Sequence, residues 1–103
     1  MAAIVYSTIG SMPDARRIAK LLVEEQIVAC VNILPNVESI YRWEGKIETD
    51  EEVILLAKTK DENINKAITR IKALHDYELP DIIVIPIIGG LKEYIGYIDK
   101  ETT

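Results

Sequence analysis

The sequence predicts an α+β fold in which a four-stranded antiparallel sheet carries two helices on one face. Strand and helix patterns follow one another in the order β-α-β-β-α-β, and right-handed crossovers turn that order into the split βαβ, ferredoxin-like arrangement. The second observation is a very long β-hairpin over residues 27–60, and the third is a short helical pattern after the last strand. In this arrangement the first and third strands are central and the second is an edge.

The shorter elements follow from apolar spacing and capping residues. Residues 3–8 predict the first strand, and residues 12–26 predict a helix with Ser11 as its N-cap and Asp14 three positions later. Asp61 is expected to cap a second helix over residues 62–74. The apolar run 82–88 predicts a buried strand, with Pro86 near its end or on an edge, and residues 91–98 predict the final helix.

The hairpin has two arms, residues 28–42 and 46–59, of roughly 14 residues each, whereas a typical strand has about 5 or 6. A two-residue turn at Glu44-Gly45 predicts that Tyr41 faces Glu48 and that Ile33 faces Leu56. Proline cannot donate a hydrogen bond to a strand ladder, so the Pro35-Asn36 pair predicts a bulge that shifts this register.

The other predicted strands are only half as long as the hairpin arms and cannot cover the outer half, residues 36–53. Unpaired strand edges recruit partners, and another copy of the same chain is the simplest cover. Large apolar groups near the tip, among them Tyr41 and Trp43, also favour self-assembly. The alternative is a strongly coiled arm that stays monomeric.

The 103 residues predict one domain, 1–103, with one modest core. A net charge of −5 disfavours binding to nucleic acid or to an anionic membrane, because no basic excess neutralises phosphates. No apolar run is long enough to span a membrane, and no leader pattern precedes the first strand. The lone cysteine, Cys30, fits a reducing compartment, so a cytoplasmic protein is expected.

No motif recommends an enzyme, since the chain has one His and one Cys, far apart, and lacks nucleotide-binding and zinc-protease signatures. Cys30 inside an apolar strand is interpreted as a small buried hydrophobe. Metal binding has two candidate regions: His75 with Asp76 and Glu78, and the alternating carboxylates Glu48, Asp50 and Glu52. The alternative for both is that these groups are solvated.

Four segments together resemble the CutA family of divalent-cation tolerance proteins: ACVNILP at 29–35, SIYRWEGKIE at 39–48, KT at 58–59 and HDYELPDI at 75–82. The resemblance covers nearly the whole chain. It implies a ferredoxin-like subunit in a compact homotrimer built through the long hairpin strands, similar in architecture to PII signalling proteins, which bind small effectors in clefts between subunits.

The resemblance also implies a role in tolerance of copper and other divalent metals. The copper ligands of bacterial members correspond here to Ser7, Leu74 and His75, of which only His75 is a competent ligand, so any copper or zinc contact is expected to involve His75. A second reading is a PII-like sensor or scaffold whose clefts bind a small effector or a protein partner. The candidate residues for a cleft or an interface are Tyr41, Trp43, Glu48, Lys58 and Tyr77. A third reading makes Tyr41 and Trp43 interface anchors only.

Overall fold

The computed structural model describes all residues, Met1–Thr103, and contains one four-stranded antiparallel sheet in the order β2-β3-β1-β4. The strands are β1 (Ala2–Ile9), β2 (Cys30–Trp43), β3 (Lys46–Lys60) and β4 (Ile82–Ile87); the helices are α1 (Met12–Glu24), α2 (Ile64–Leu74) and α3 (Lys92–Lys100). The predicted fold class is confirmed, with β1 and β3 central and β2 at an edge.

The hydrophobic core lies between one face of the sheet and the two helices α1 and α2. Alternate residues of β1 and β3, including Val5 and Leu55, meet Leu22 of α1 and Ile71 of α2, and all four are fully buried. Residues of the opposite parity point to the other face of the sheet, which we call the open face. Helix α3 packs at one end of this open face, where Ile98 is buried against β1 and β4.

The helix N-terminus predicted at Ser11 is confirmed, since the Ser11 hydroxyl accepts from the Asp14 backbone N–H at 3.3 Å. The prediction for Asp61 is wrong. A 3₁₀ turn, Asp61–Asn63, precedes α2, and Asp61 instead forms an ion pair with the amino group of Met1 at 3.0 Å. The carboxylate is drawn to this cation because the first strand begins directly beside the end of β3.

The turn residues Glu44 and Gly45 have φ angles of 49° and 79°, as a tight hairpin turn with left-handed central residues requires. Tyr41 faces Glu48 as predicted, but beyond the bulge Ile33 faces Leu55 rather than Leu56. The register shift lies between Leu34 and Val37, where Asn36 adopts a φ of 59°. The predicted bulge is therefore confirmed, and it accounts for the one-residue difference.

Strand β1 pairs with β3 only from Val53 to Lys60. The outer half of the hairpin is paired only within itself, so the chain is elongated, with principal extents of 44 × 25 × 23 Å. Strand β4 is an edge strand, and Pro86 lies on it as predicted, but the expected burial is wrong. Ile83 and Ile85 are exposed because nothing in the chain covers their part of the open face. The longest helix, α1, has 13 residues, which is too few for a membrane-spanning helix.

Candidate functional site: an acidic aromatic cleft

A cleft of about 640 Å³ opens on the open face between the outer half of the hairpin and the loop that joins α2 to β4. Strand alternation explains its composition, because Asp50 and Glu52 of β3 point to the same face as Ser39, the cross-strand partner of Asp50. Its aromatic walls are Tyr6, Tyr41, Trp43 and Tyr77. Its acidic groups are Asp50, Glu51, Glu52, Glu78 and Asp81, and no Lys, Arg or His lines it.

Hydrogen bonds join the three parts of the chain that form the cleft: the hairpin strand β3, strand β1 and the loop between α2 and β4. The Tyr77 hydroxyl donates to Glu52 Oε2 at 2.7 Å, which ties the loop to β3. The Asp81 carboxylate accepts from the Thr8 backbone N–H at 3.2 Å and from the Thr8 hydroxyl at 2.6 Å, which ties the loop to β1.

Three tyrosines of the cleft have raised pKa values, and burial, hydrogen bonds to carboxylates and neighbouring negative charges all contribute. The hydrogen bond that the Tyr41 hydroxyl donates to Asp50 raises the pKa of Tyr41 to about 12, with smaller contributions from burial and the neighbouring carboxylates. Burial, followed by the hydrogen bond to Glu52, raises the pKa of Tyr77. Burial and the charges of Asp81 and Glu52 raise the pKa of Tyr6. Each phenolate would add negative charge to a cleft that already holds several carboxylates.

Glu52 is the buried charge of the cleft, with 8% of its surface exposed. Its only hydrogen-bond donor is Tyr77, and no Lys, Arg or His nitrogen lies within ion-pair distance of it. Buried carboxylates are normally paired with a cation or satisfied by several donors. Glu52 therefore lies in the cleft without a countercharge from its own chain.

His75 lies beneath the cleft at the C-terminus of α2, with a fully buried side chain. Its Nδ1 is 3.2 Å from the Tyr77 backbone nitrogen and its Nε2 is 2.8 Å from the Thr8 carbonyl oxygen. A backbone N–H can only donate, so Nδ1 accepts and Nε2–H donates to Thr8. The imidazole thus fixes the start of the loop and places Tyr77, whose ring centroid is 4.4 Å away.

Neither ring nitrogen of His75 is free in this arrangement, and Asp76 is the nearest carboxylate, 3.7 Å from Nδ1. No three His, Cys, Asp or Glu side chains form a group that could hold a metal ion. Coordination through His75 would require one of its two hydrogen bonds to open. The assignment of His75 as a metal ligand stays a prediction.

The remaining candidates separate into two places. Tyr41, Trp43 and Tyr77 line the cleft, and Glu48 is exposed opposite Tyr41. Lys58 lies at the other end of the open face, where its Nζ donates to the Tyr94 hydroxyl at 3.4 Å. Burial alone would lower the pKa of Lys58, but the hydrogen bond with Tyr94 helps to raise it.

Cys30 is next to Lys58 across the β2–β3 ladder, with its Sγ 3.6 Å from the Tyr94 hydroxyl. It is half-buried, not the fully buried hydrophobe expected from the apolar run around it. The open face beside it is covered only in part, by α3.

Three residues of the cleft were not predicted from the sequence: Tyr6, Thr8 and Asp81. Tyr6 and Thr8 alternate with the core residues of β1, and Asp81 directly precedes β4. Alternation could have placed the first two on the open face. Only the folded loop shows that Asp81 reaches them.

The fold and cleft define a class: small ferredoxin-like α+β proteins with an extended hairpin and an open sheet face. Residues 3–101 match the family described as CutA1 divalent ion tolerance protein. The chain belongs to this family.

A solved divalent cation tolerance protein (Cut A1) from Thermus thermophilus is 45% identical, with a TM-score of 0.97 and 100% of both chains covered. The PII-like protein CutA from Nostoc sp. PCC 7120, solved in apo form, is 42% identical, with a TM-score of 0.91 over 98% of this chain and 97% of that one. Protein CutA 1, chloroplastic, of Oryza sativa is 37% identical to this chain. The match covers 96% of this chain and 56% of the rice protein.

Proposed function

We propose that this divalent-cation tolerance protein works as a homotrimer that covers the apolar part of the open sheet face and the free strand edges of the outer half of the hairpin. The observation that carries the proposal is the exposed apolar surface of the open face, where Ile83, Ile85 and Leu34 are 54%, 42% and 41% exposed. Contiguous apolar surface of this kind marks protein interfaces. Cyclic assembly buries the same patch in every copy.

The hairpin supports the same proposal. Its outer half has no neighbouring strand on either side, and Ile40 and Ile47 near its tip are 66% and 63% exposed. An extended strand edge with apolar side chains is prone to uncontrolled pairing unless another chain covers it. A closed ring of three copies provides that cover for each hairpin.

Light scattering coupled to size exclusion tests the assembly, with an expected mass of three times the 11.6 kDa of one chain. Ile85→Glu should dissociate the assembly, because it places a charge in the proposed interface. Val23→Glu, on the exposed side of α1, is the matched control, since Val23 and Ile85 are 41% and 42% exposed. A monomeric wild-type protein, or equal behaviour of the two variants, contradicts the proposal.

Direct metal capture is the first candidate for how the assembly acts on divalent cations. His75 with Asp76 at 3.7 Å offers an imidazole and a carboxylate, and further ligands would come from the same loop or a neighbouring copy. Calorimetric titration with Cu²⁺ and Zn²⁺ at neutral pH tests it. Stoichiometric binding tighter than about 1 μM that is lost in a His75→Ala variant of unchanged mass supports the candidate. Weak heats that the variant reproduces reject it.

Effector binding in the cleft is the second candidate, in which metal tolerance is an indirect outcome. The volume and aromatic walls of the cleft suit a small molecule. The relative from Nostoc is named a PII-like protein, which fits this candidate. Trp43→Ala separates the readings, because a ligand-binding Trp43 leaves the trimer intact when removed, whereas an interface anchor does not.

A cytoplasmic location and the absence of enzymatic activity belong to the same proposal. The lone cysteine supports the first, because it fits a reducing compartment. The absence of a nucleophile–base pair motif in the sequence supports the second. Cell fractionation with an antibody to the protein tests the location, and recovery with membranes or outside the cytoplasm contradicts it.

A further inference from the structure

We propose that the cleft binds a small organic cation, an aliphatic amine whose ammonium group pairs with Glu52 and whose hydrocarbon part lies against the aromatic walls. The inference rests on the second candidate function and names the chemical class of its ligand. Three features of the cleft carry it: a buried carboxylate without a countercharge, aromatic walls, and the absence of any basic lining residue.

The buried carboxylate is the strongest of these features. Glu52 is 8% exposed, and its second oxygen accepts no hydrogen bond from the chain but is accessible to solvent. A mostly buried carboxylate with a single neutral donor has few hydrogen bonds for a charged group, and a cationic partner at its accessible oxygen would add a favourable interaction. An ammonium group has three N–H donors and can satisfy the free oxygen while it remains bonded to neighbouring acceptors.

The aromatic walls select an organic cation over a bare metal ion. Trp43 and Tyr41 are partly exposed at the hairpin end of the cleft, and Tyr6 and Tyr77 form the walls toward β1 and the loop. Aromatic faces attract cations and also provide apolar contact for methylene groups. A hydrated metal ion uses only the carboxylates, and two of these, Asp50 and Glu52, already accept from tyrosine hydroxyls.

The cleft also excludes the opposite kind of ligand. Asp50, Glu51, Glu52, Glu78 and Asp81 all lie along it, and no basic residue offsets them. Phosphates and carboxylates would be repelled, whereas a cation would be concentrated there.

The intrinsic fluorescence of Trp43 gives a direct test, because it is the only tryptophan in the chain and lines the cleft. Cadaverine, an aliphatic diamine, is titrated into the full-length protein at fixed ionic strength, beside pentanediol, the uncharged diol of equal length, and MgCl₂. We expect saturable quenching or a spectral shift with cadaverine, at least tenfold tighter than with either control. Equal responses to cadaverine and MgCl₂ would reveal general charge screening and overturn the inference.

Two variants locate the amine. Glu52→Gln retains an oxygen that accepts from Tyr77 but removes the charge, and it should weaken cadaverine binding at least tenfold. Asp50→Asn, at an exposed position, should weaken cadaverine binding severalfold, and it replaces Glu52→Gln as the test if that variant misfolds. Glu62→Gln, an exposed acid in the 3₁₀ turn outside the cleft, removes the same charge and should leave binding unchanged. Equal binding by the wild type, Glu52→Gln and Asp50→Asn contradicts the inference.

Light scattering on the same samples separates this inference from the proposed function. A trimer that binds none of the probes leaves the assembly standing and overturns the inference, as would happen if a basic side chain of a neighbouring copy filled the cleft. A trimer that binds pentanediol as tightly as cadaverine supports an effector cleft but overturns the cationic ligand. A monomer that binds cadaverine through Glu52 overturns the assembly alone, since one chain forms the cleft.

Discussion

The Tyr77 hydroxyl donates to Glu52 Oε2 at 2.7 Å, so one hydrogen bond links the loop after α2 to the third strand. The two residues are 25 positions apart in the sequence. This contact closes one wall of the cleft. The buried His75 helps to fix the position of Tyr77, because its Nδ1 accepts a hydrogen bond from the Tyr77 backbone N–H.

Tyr77→Phe should lower the free energy of unfolding by about 1–2 kcal/mol, because the buried Glu52 carboxylate loses its only donor while the ring remains. Urea unfolding at fixed protein concentration measures the change. Tyr97→Phe is the control, since Tyr97 is exposed and its hydroxyl has no hydrogen bond. Equal stability of the two variants would show that the Tyr77–Glu52 contact contributes nothing.

Tyr41 should ionise at about pH 12, because its hydroxyl donates to the Asp50 carboxylate. A folded-state pKa above the unfolded value of about 10 means that this contact contributes stability below pH 10 and loses it as pH rises toward 12. Absorbance titration of the phenolates measures the pKa, with Tyr41→Phe assigning the transition. Asp50→Asn should move the transition toward 10. An unchanged titration in that variant contradicts the assignment.

Leu55→Ala should destabilise the protein by about 2–5 kcal/mol, because Leu55 is 0% exposed in the core between the sheet and the helices. Leu79→Ala removes the same atoms from a loop residue that is 71% exposed, and it should change stability by less than about 0.5 kcal/mol. Thermal and denaturant unfolding compare the two. Similar losses in both variants would place Leu55 outside the cooperative core.

Gly45→Ala and Gly96→Ala should have opposite effects. Gly45 has a φ of 79° in the hairpin turn, so a side chain there costs about 1 kcal/mol even though nothing lies within 4 Å of its Cβ position. Gly96 lies inside α3 with equally open space, and alanine should stabilise the helix by about 0.5–1 kcal/mol. If denaturant unfolding shows that both variants are stabilised, or that both are destabilised, this explanation is refuted.

Much of the fold could be predicted because its signals are local. Helix spacing, the Ser11 cap, the Glu44-Gly45 turn and the Pro35-Asn36 bulge each depend on a few neighbouring residues. The prediction for Asp61 was wrong because a distant partner, the amino group of Met1, competed with the local capping role. The bulge at Pro35-Asn36 was predicted to shift the register, but the new partner of Ile33 was not, because neighbouring residues alone do not decide how the extra residue is accommodated against β3.

The candidate site was predicted only in part. Motif resemblance drew attention to Tyr41, Trp43 and Tyr77, which line the cleft, but it also named Lys58, which lies with Cys30 and Tyr94 at the other end of the open face. His75 was predicted from the chemistry of its imidazole and from its match to a metal-ligand position of the family. Whether its nitrogens are free depends on the Thr8 carbonyl and the Tyr77 amide, which lie 67 and 2 positions away.

By itself the sequence determined the element order, the long hairpin and the membership of the family, because periodicity, turn residues and motifs are written in consecutive positions. Tertiary structure alone decided that Glu52 is buried without a cation and that Asp81 and Tyr77 close a cleft over it. The burial of a side chain and the presence of a countercharge depend on residues that are distant in the sequence. They arise only when β1, the hairpin and the loop are brought together by the packing of α1 and α2 on the sheet.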